Sequence, residues 1–233
     1  MKKVEIKTAM SWPRPPPTAL VINLDRDTFR LAHMEAECAR VGLHMKRWPA
    51  LLGTALPPAL DACFASRPRD CLALSTGEIG CYASHITIWQ AIRDGRIGDV
   101  TLVMEDDLRL EDDFAAAVQS ALAVAAPGWD FIRLSNAPRR AFVPVAKVGS
   151  RYSLVHYTRV PCSAGAYLIS RTGAAKLLAR SSRTLPVDED LRRGWRFNLK
   201  TFGVVPLPAT PGAVESTITM LGGRTRWAAR CGW

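Results

Sequence analysis

The stretch Val100-Thr101-Leu102-Val103-Met104-Glu105-Asp106-Asp107 joins a largely apolar run directly to three acids. A short apolar run without alternation is typical of a strand that is buried on both faces of a sheet. In open α/β sheets, ligands bind beyond the carboxyl ends of such strands. The stretch therefore predicts an α/β fold with a binding site where this strand ends.

The segments on either side of this stretch repeat the alternation of strand and helix. Residues 19–24 form a second apolar run, and residues 28–41 carry apolar side chains at helical spacing. Ser75 and Glu78 have the spacing of a capping box, which predicts a helix over residues 79–93. Two further strands and two further helices are expected at residues 129–134 and 166–170, and at residues 114–126 and 173–179. This alternation is typical of an α/β domain.

Composition and length fit a globular protein, with 48% apolar and 22% charged residues in a chain of 233. We expect a flexible Pro-rich arm over residues 1–17, one domain over residues 18–220, and a basic, Trp-containing tail over residues 221–233. No apolar run approaches the roughly 20 residues of a transmembrane helix. The first residues also lack the apolar stretch of a signal peptide, which predicts a cytoplasmic protein.

The six cysteines include no C-x-x-C pair, and the four histidines are scattered. The cysteine spacing matches neither a zinc site nor a compact disulfide framework, so buried reduced thiols are predicted.

Charge is divided unevenly along the chain. Residues 1–130 hold 14 basic and 17 acidic residues, whereas residues 131–233 hold 17 basic and 4 acidic ones. Between Phe131 and Val187 there are ten Lys or Arg and no acid. This pattern indicates either a solvated basic surface or a positive field that attracts a polyanion or an anionic membrane.

The three carboxylates at 105–107 repel one another, and a divalent cation would remove that cost. Mg²⁺ and Mn²⁺ prefer oxygen ligands and are commonly shared with a substrate phosphate. A helix cap is the alternative, but Asp112 and Asp113 already precede the next predicted helix. The pattern thus favours a metal–diphosphate site, as in a sugar-nucleotide enzyme or a phosphotransferase. The chain has neither a P-loop nor a G-x-G-x-x-G motif, which disfavours nucleotide kinases and Rossmann dehydrogenases.

Several segments together resemble glycosyltransferase family 25, which includes bacterial lipopolysaccharide and lipooligosaccharide galactosyltransferases. They are VINLDR at 21–26, LSTGEIGC at 74–81 with Ser84, His85 and Trp89, MEDD at 104–107, GAYLIS at 165–170 and PVDE at 186–189. The resemblance implies a GT-A-like fold with a Rossmann-like, mostly parallel central sheet flanked by helices. Residues 18–130 would form the nucleotide-sugar half and residues 131–220 a basic acceptor half. The family's reaction inverts the anomeric carbon of a nucleotide sugar, usually UDP-galactose.

The resemblance also implies roles for single residues. The triplet matches a DXD-type element, with Asp107 on Mn²⁺ or Mg²⁺, Glu105 on the metal or the ribose, and Asp106 in a supporting position. Many GT-A enzymes supply a third metal ligand late in the chain, often a histidine. The last histidine here is His156, so a third protein ligand is not identified. The remaining residues expected around the nucleotide sugar are Asn23, Leu24, Arg26, Arg30, Glu78 and His85.

An inverting transfer needs one base, and Asp188 is the candidate, with Glu189 and Asp190 behind it. Ion pairing with Arg192 or Arg193 is the competing explanation for these acids. The other candidates have structural alternatives as well: Arg26 and Arg30 as surface arginines, Glu78 as part of the cap, and His85 as a structural histidine.

The sequence thus predicts an inverting glycosyltransferase that moves a hexose, galactose above all, from a UDP-sugar to a lipooligosaccharide or lipopolysaccharide acceptor. Its basic half would lie against acceptor phosphates and the inner face of the cytoplasmic membrane. The alternatives are a non-enzymatic polyanion or membrane-surface binder and a family member that binds a nucleotide sugar without turnover. No nucleic-acid partner is expected, since no helix-turn-helix, zinc-finger or RNP pattern occurs.

Overall fold

A computed structural model describes residues 17–65, 74–136, 138 and 140–212 of the chain. The strands are β1 (Thr18–Asn23), β2 (Met45–Pro49), β3 (Val100–Glu105), β4 (Leu108–Leu110), β5 (Phe131–Arg133), β6 (Phe142–Val148), β7 (Tyr152–Tyr157), β8 (Ala166–Ser170), β9 (Thr201–Val205) and β10 (Ala209–Pro211). The helices are α1 (Thr28–Arg40), α2 (Pro58–Ala65), α3 (Thr76–Arg93), α4 (Phe114–Val124), α5 (Arg171–Leu178) and α6 (Val187–Arg192), and a 3₁₀ turn spans Gly194–Phe197.

Eight strands form one central sheet in the order β2-β1-β3-β8-β5-β9-β7-β6, and β4 pairs separately with β10. β1 is parallel to β2 and β3, and β5 is parallel to β9. β8 is antiparallel to β3 and β5, and β7 is antiparallel to β9 and β6. Six of the eight strands therefore run in one direction, with β7 and β8 reversed. The predicted α/β class and mostly parallel central sheet are confirmed.

Helices cover both faces of this sheet and explain why its strands are continuously apolar. Leu102 and Met104 of β3 belong to one buried cluster, which includes residues of α1 and α4. Val103 points the other way, into a second cluster formed by α2, α3, α5 and α6. A strand with an apolar layer on each side needs apolar side chains at every position rather than at alternate ones.

Helix α3 begins with the predicted capping box. Ser75 Oγ accepts a hydrogen bond from the Glu78 backbone N–H at 3.2 Å, and Glu78 Oε2 accepts one from the Ser75 backbone N–H at 2.8 Å. The helix starts at Thr76 rather than at the predicted residue 79, because Ser75 is the capping residue itself.

Replacing Ser75 by Ala is expected to lower the free energy of unfolding by about 1 kcal/mol, the usual cost of losing such a cap. Urea titration followed by circular dichroism measures this change. Ser75→Thr keeps the hydroxyl and is the matched control. Equal stability of the Ala variant and the wild type would mean that packing alone holds the start of α3.

The basic residues between Phe131 and Val187 draw part of their partners from the other half of the chain. Arg151 lies 2.9 Å from Glu111, Lys176 lies 2.6 Å from Asp130, and Arg171 pairs with Asp99. The uneven division of charge along the sequence is therefore partly offset in the folded chain.

Strand β6 forms one edge of the central sheet and is mostly exposed. Phe142, Val143 and Val145 present apolar surface to the solvent there. Pro144 interrupts the strand, and its pairing with β7 shifts register between Pro144 and Ala146. This strand was not predicted, and Pro144, which cannot donate to a strand ladder, argues against a strand in this apolar run.

The predicted N-terminal arm, apart from Pro17, and the predicted C-terminal tail lie outside the described residues. Within the described residues, none of the helices combines the length and apolar character that crossing a bilayer requires.

Candidate functional site

The carboxyl ends of β1 and β3 lie side by side, because the two strands are adjacent and parallel. Asn23 is the last residue of β1, and Asp106 follows β3 directly. Asn23 Nδ2 donates to Asp106 Oδ2 at 2.7 Å, and both residues are buried. The fold thus brings together two of the predicted site residues, which are 83 positions apart in the sequence.

Arg30, near the start of α1, lies against the acidic triplet. Its Nε and NH2 donate to Asp106 Oδ1 at 2.8 and 2.5 Å, and NH2 lies 3.3 Å from Asp107 Oδ2. Burial alone would lower the pKa of Arg30, but hydrogen bonds and charges from Asp106 and Asp107 raise it overall. With its side chain only 12% exposed, Arg30 is not the surface arginine of the alternative interpretation.

This arginine changes the electrostatic argument about the triplet. Both oxygens of Asp106 have protein partners, Asn23 on one and Arg30 on the other. A cation from the protein therefore compensates the central acid, and repulsion among the three carboxylates does not by itself require a metal ion. Asp107 shares the same arginine at 3.3 Å, whereas Glu105 contacts Cys81 on α3.

The loop after β1 holds the other predicted nucleotide residues. Leu24 is half-buried, whereas the Arg26 side chain is 56% exposed and lies 3.7 Å from Asp27. Arg47, which the sequence did not single out, donates from Nε to Asn23 Oδ1 at 3.1 Å and so fixes the loop from the β2 side.

Glu78 and His85 both lie on α3, but at different depths. The Glu78 carboxylate is engaged by the cap at the helix start. His85 is fully buried about two turns further on, where its Nδ1 lies 2.7 Å from Tyr167 Oη. Burial lowers the pKa of His85 to about 3, so the ring is neutral.

Glu105 approaches α3. Its Oε1 lies 3.9 Å from Cys81 Sγ, and the ligand atoms of Cys81, His85 and Glu105 all fall within 4.8 Å of one another. His85 Nε2 has no hydrogen-bond partner among the described residues.

The acids at 188–190 have different surroundings. Glu189 is buried and pairs with Arg192 at 2.7 Å and with Arg193 at 3.3 Å. Asp190 pairs with Arg196 at 2.9 Å and accepts a hydrogen bond from Tyr82 Oη at 2.8 Å, and burial raises its pKa. Ion pairing, the structural alternative to a catalytic role, thus accounts for Glu189 and Asp190.

Asp188 is half-buried and forms no ion pair within the described part of the chain. Its Oδ1 accepts from the Glu189 backbone N–H at 2.9 Å, and Cys162 Sγ donates to Oδ2 at 3.1 Å. Burial, together with the charges of Asp188 and Glu189, raises the pKa of the Cys162 thiol, which therefore remains a donor. Among the acids at 188–190, Asp188 is thus the one without an arginine partner in the described chain.

The segment before β8 connects Asp188 to the acidic triplet. Because β8 is antiparallel to β3, its first residues lie beside the end of β3. The Glu105 backbone N–H donates to Gly165 O at 2.7 Å, and Cys162, three residues earlier, contacts Asp188. The triplet and the candidate base therefore belong to the same edge of the sheet.

Arg133 is a buried residue of this region that sequence reasoning missed. It ends β5 and donates from NH1 to Ser163 O at 2.6 Å, while Nε and NH2 have no hydrogen-bond partner among the described residues. Burial lowers its pKa, and the nearby charge of Asp188 acts in the opposite direction. An arginine inside the predicted strand 129–134 was the available signal, but it was counted with the basic surface.

A hard divalent cation fits part of the predicted ligand set. Asp106 is buried and held by two protein partners, whereas Asp107, with a side chain 19% exposed and shared with Arg30, and the half-buried Glu105 are the more accessible carboxylates. Two oxygen donors of this kind suit Mn²⁺ or Mg²⁺ that is shared with a phosphate.

The sequence matches the family described as Glycosyltransferase family 25 (LPS biosynthesis protein) over residues 17–191. A glycosyltransferase 25 family member of Anopheles gambiae is 33% identical over 187 residues, which cover 73% of this chain and 30% of that protein. Procollagen galactosyltransferase 1-B of Xenopus laevis is 34% identical over 145 residues, which cover 60% of this chain and 23% of that protein.

The chain thus spans less than a third of the length of either relative. A solved structure of a glycosyltransferase involved in the glycosylation of the major capsid of PBCV-1 aligns with a TM-score of 0.48 and 11% identity. That alignment covers 89% of this chain and 98% of the other.

Proposed function

Because the chain belongs to glycosyltransferase family 25, we propose that it transfers a hexose, galactose in the first instance, from a UDP-sugar to a glycan hydroxyl with inversion. The observation that supports this most is the convergence of the triplet at 105–107, the loop after β1, and Asp188 at one edge of the sheet. Relatives named procollagen galactosyltransferases support galactose as the sugar.

The donor would bind against the loop after β1. Asn23, Asp106 and Arg30 hold one another, so this loop is preorganised before any nucleotide arrives. The exposed Arg26 guanidinium is free to reach a diphosphate oxygen, to which arginine binds strongly. Mn²⁺ or Mg²⁺ held by Asp107 and Glu105 would neutralise negative charge on the departing diphosphate.

Asp188 would act as the general base. Inversion is a single in-line displacement, so the acceptor hydroxyl loses its proton as the new glycosidic bond forms. The hydrogen bonds from Cys162 and from the Glu189 backbone N–H hold the orientation of this carboxylate, and it forms no ion pair with an arginine in the described chain.

For the acceptor we propose a lipooligosaccharide, a lipopolysaccharide or another anionic glycan, reached from the cytoplasmic face of the inner membrane. The formal net charge of +10 and the family's description as a lipopolysaccharide biosynthesis protein support this choice. A positive surface favours an acceptor that carries phosphates.

A panel of nucleotide sugars tests the proposal. With Mn²⁺ and a lipooligosaccharide acceptor, UDP-galactose is expected to release UDP at least about tenfold faster than the GDP-sugars and CMP-sugars of the panel, because the donor loop selects the nucleotide through fixed polar contacts. Coupled detection of the released nucleotide gives the rate. The same panel without acceptor controls for hydrolysis.

Two outcomes would contradict transfer. UDP binding without turnover of any sugar would indicate that this chain is a family member that binds a nucleotide sugar but does not transfer it. The chain would instead be a non-enzymatic polyanion binder if it had no affinity for UDP and bound acidic glycans or anionic vesicles in a way that weakens steeply with salt.

A further inference from the structure

A cluster of three potential ligands lies between α3 and the end of β3. Cys81 and His85 are four residues apart on α3, so their side chains share one face of the helix. Glu105, the last residue of β3, faces them, with Oε1 3.9 Å from Cys81 Sγ. All three ligand atoms lie within 4.8 Å of one another.

The buried histidine gives an independent reason to expect a ligand here. His85 is fully buried, and its Nε2 has no hydrogen-bond partner among the described residues. Leaving a buried polar atom unsatisfied is costly in either tautomer, because the atom has given up its hydrogen bond to water. A metal ion at Nε2 would provide the missing partner.

The surroundings of His85 suit a metal ligand. Its Nδ1 lies 2.7 Å from Tyr167 Oη, and the same oxygen accepts from Trp89 Nε1 at 3.1 Å. Metal-binding histidines typically donate their second ring N–H to an oxygen, which fixes both the ring and the tautomer. With Nδ1–H donating to Tyr167, Nε2 carries the lone pair that a cation can bind.

The donor atoms also select the kind of cation. A thiolate, an imidazole nitrogen and a carboxylate are the ligands of Zn²⁺, whereas Mg²⁺ and Mn²⁺ prefer oxygen alone. For zinc bonds of about 2.0–2.3 Å, tetrahedral ligand atoms stand roughly 3.5 Å apart, so small side-chain rotations would close the cluster. Cys81 and Glu105 are only half-buried, which leaves a side open for a water ligand.

We propose that Cys81, His85 and Glu105 bind a zinc-like divalent cation at the junction of α3 and β3. The Cys81 thiol loses its proton to solvent on binding, and the thiolate and carboxylate together balance the charge of the cation. This site goes beyond the proposed transfer reaction, shares only Glu105 with the donor site, and needs no nucleotide. It also departs from the expectation that the cysteines serve only as buried thiols.

Co²⁺ titration of the full chain, reduced and without nucleotide, tests the proposal. We expect a cobalt–thiolate charge-transfer band that saturates at one equivalent, and zinc added afterwards should abolish it by displacement. Cys81→Ser should lose the band and bind Zn²⁺ at least about tenfold more weakly in calorimetry. Tyr167→Phe, which removes the partner of His85 Nδ1, should weaken Zn²⁺ binding about 10- to 100-fold.

Two control variants separate this site from other thiols and from the donor site. Cys63→Ser removes another half-buried thiol, and Asp107→Asn removes the acid proposed for Mn²⁺; both should keep the cobalt band. The proposal is overturned if wild type shows no band with excess Co²⁺, or if Cys81→Ser retains it. Because no step of the assay involves UDP or turnover, its result is independent of whether the chain transfers a sugar.

Discussion

Replacing Asp188 by Asn is expected to lower kcat for sugar transfer by about 10²- to 10⁴-fold, the usual range for loss of a general base. The amide keeps the shape of the carboxylate but does not accept the proton of the acceptor hydroxyl. Donor affinity should change little, since the residues proposed to hold the nucleotide lie after β1 and β3. Initial rates at saturating donor and acceptor, together with calorimetry of UDP, separate the two quantities.

Glu189→Gln is the matched control for this prediction. Glu189 and Arg192 are a buried pair, and removing one charge of such a pair costs on the order of 3–5 kcal/mol of folding free energy. The variant should therefore unfold at a markedly lower temperature, and at permissive temperature its kcat should fall far less than that of Asp188→Asn. A wild-type rate for Asp188→Asn, with loss of rate in folded Glu189→Gln, would assign the base to Glu189.

Replacing Asp107 by Asn is expected to reduce kcat/KM by about 10²- to 10³-fold, corresponding to several kcal/mol of charge stabilisation at the diphosphate. The enhancement of UDP binding by Mn²⁺ should disappear at the same time. Calorimetry of UDP with and without Mn²⁺ measures this, and residual binding without the metal should equal that of wild type.

Asp106→Asn distinguishes a metal ligand from a structural acid. Asp106 bonds to Asn23 and Arg30, so this variant should lose stability and bind UDP more weakly whether or not Mn²⁺ is present. If Asp107→Asn and wild type bound UDP equally well in Mn²⁺, the metal assignment would fail, although the family membership would stand.

Local signals in the sequence predicted much of the scaffold. The apolar runs gave β1 and β3 to within a residue, and β8 was predicted at its observed bounds. The spacing of Ser75 and Glu78 located the start of α3 to within three residues, because a capping box depends only on residues within one helical turn. Such features need no knowledge of the rest of the chain.

Elements stabilised by distant neighbours were not predicted. Pairing with neighbouring strands of the sheet stabilises β2, β7 and β9. Strand β9 also includes Gly203, whose missing side chain leaves room for Tyr157 Oη. Helix α2 falls in a Pro- and Ala-rich connection where local preference is weak.

The candidate site shows the same limit. The residue types at 105–107 indicated a functional strand end, but the partner of Asp106 is Arg30, 76 positions away. Without that contact, repulsion among the carboxylates was attributed wholly to a missing metal ion. Arg133 was likewise assigned to a surface from its charge, whereas the fold buries it completely among the residues before β8.

The exposed strand β6 has a consequence for how copies of this protein behave at high concentration. A free strand edge with apolar side chains is normally a template on which further chains stack into fibrils. Pro144 cannot donate a backbone hydrogen bond, and the shift of register beside it distorts the regular spacing that stacking requires. The protein can therefore keep Val143 and its neighbours in water while resisting amyloid-like association.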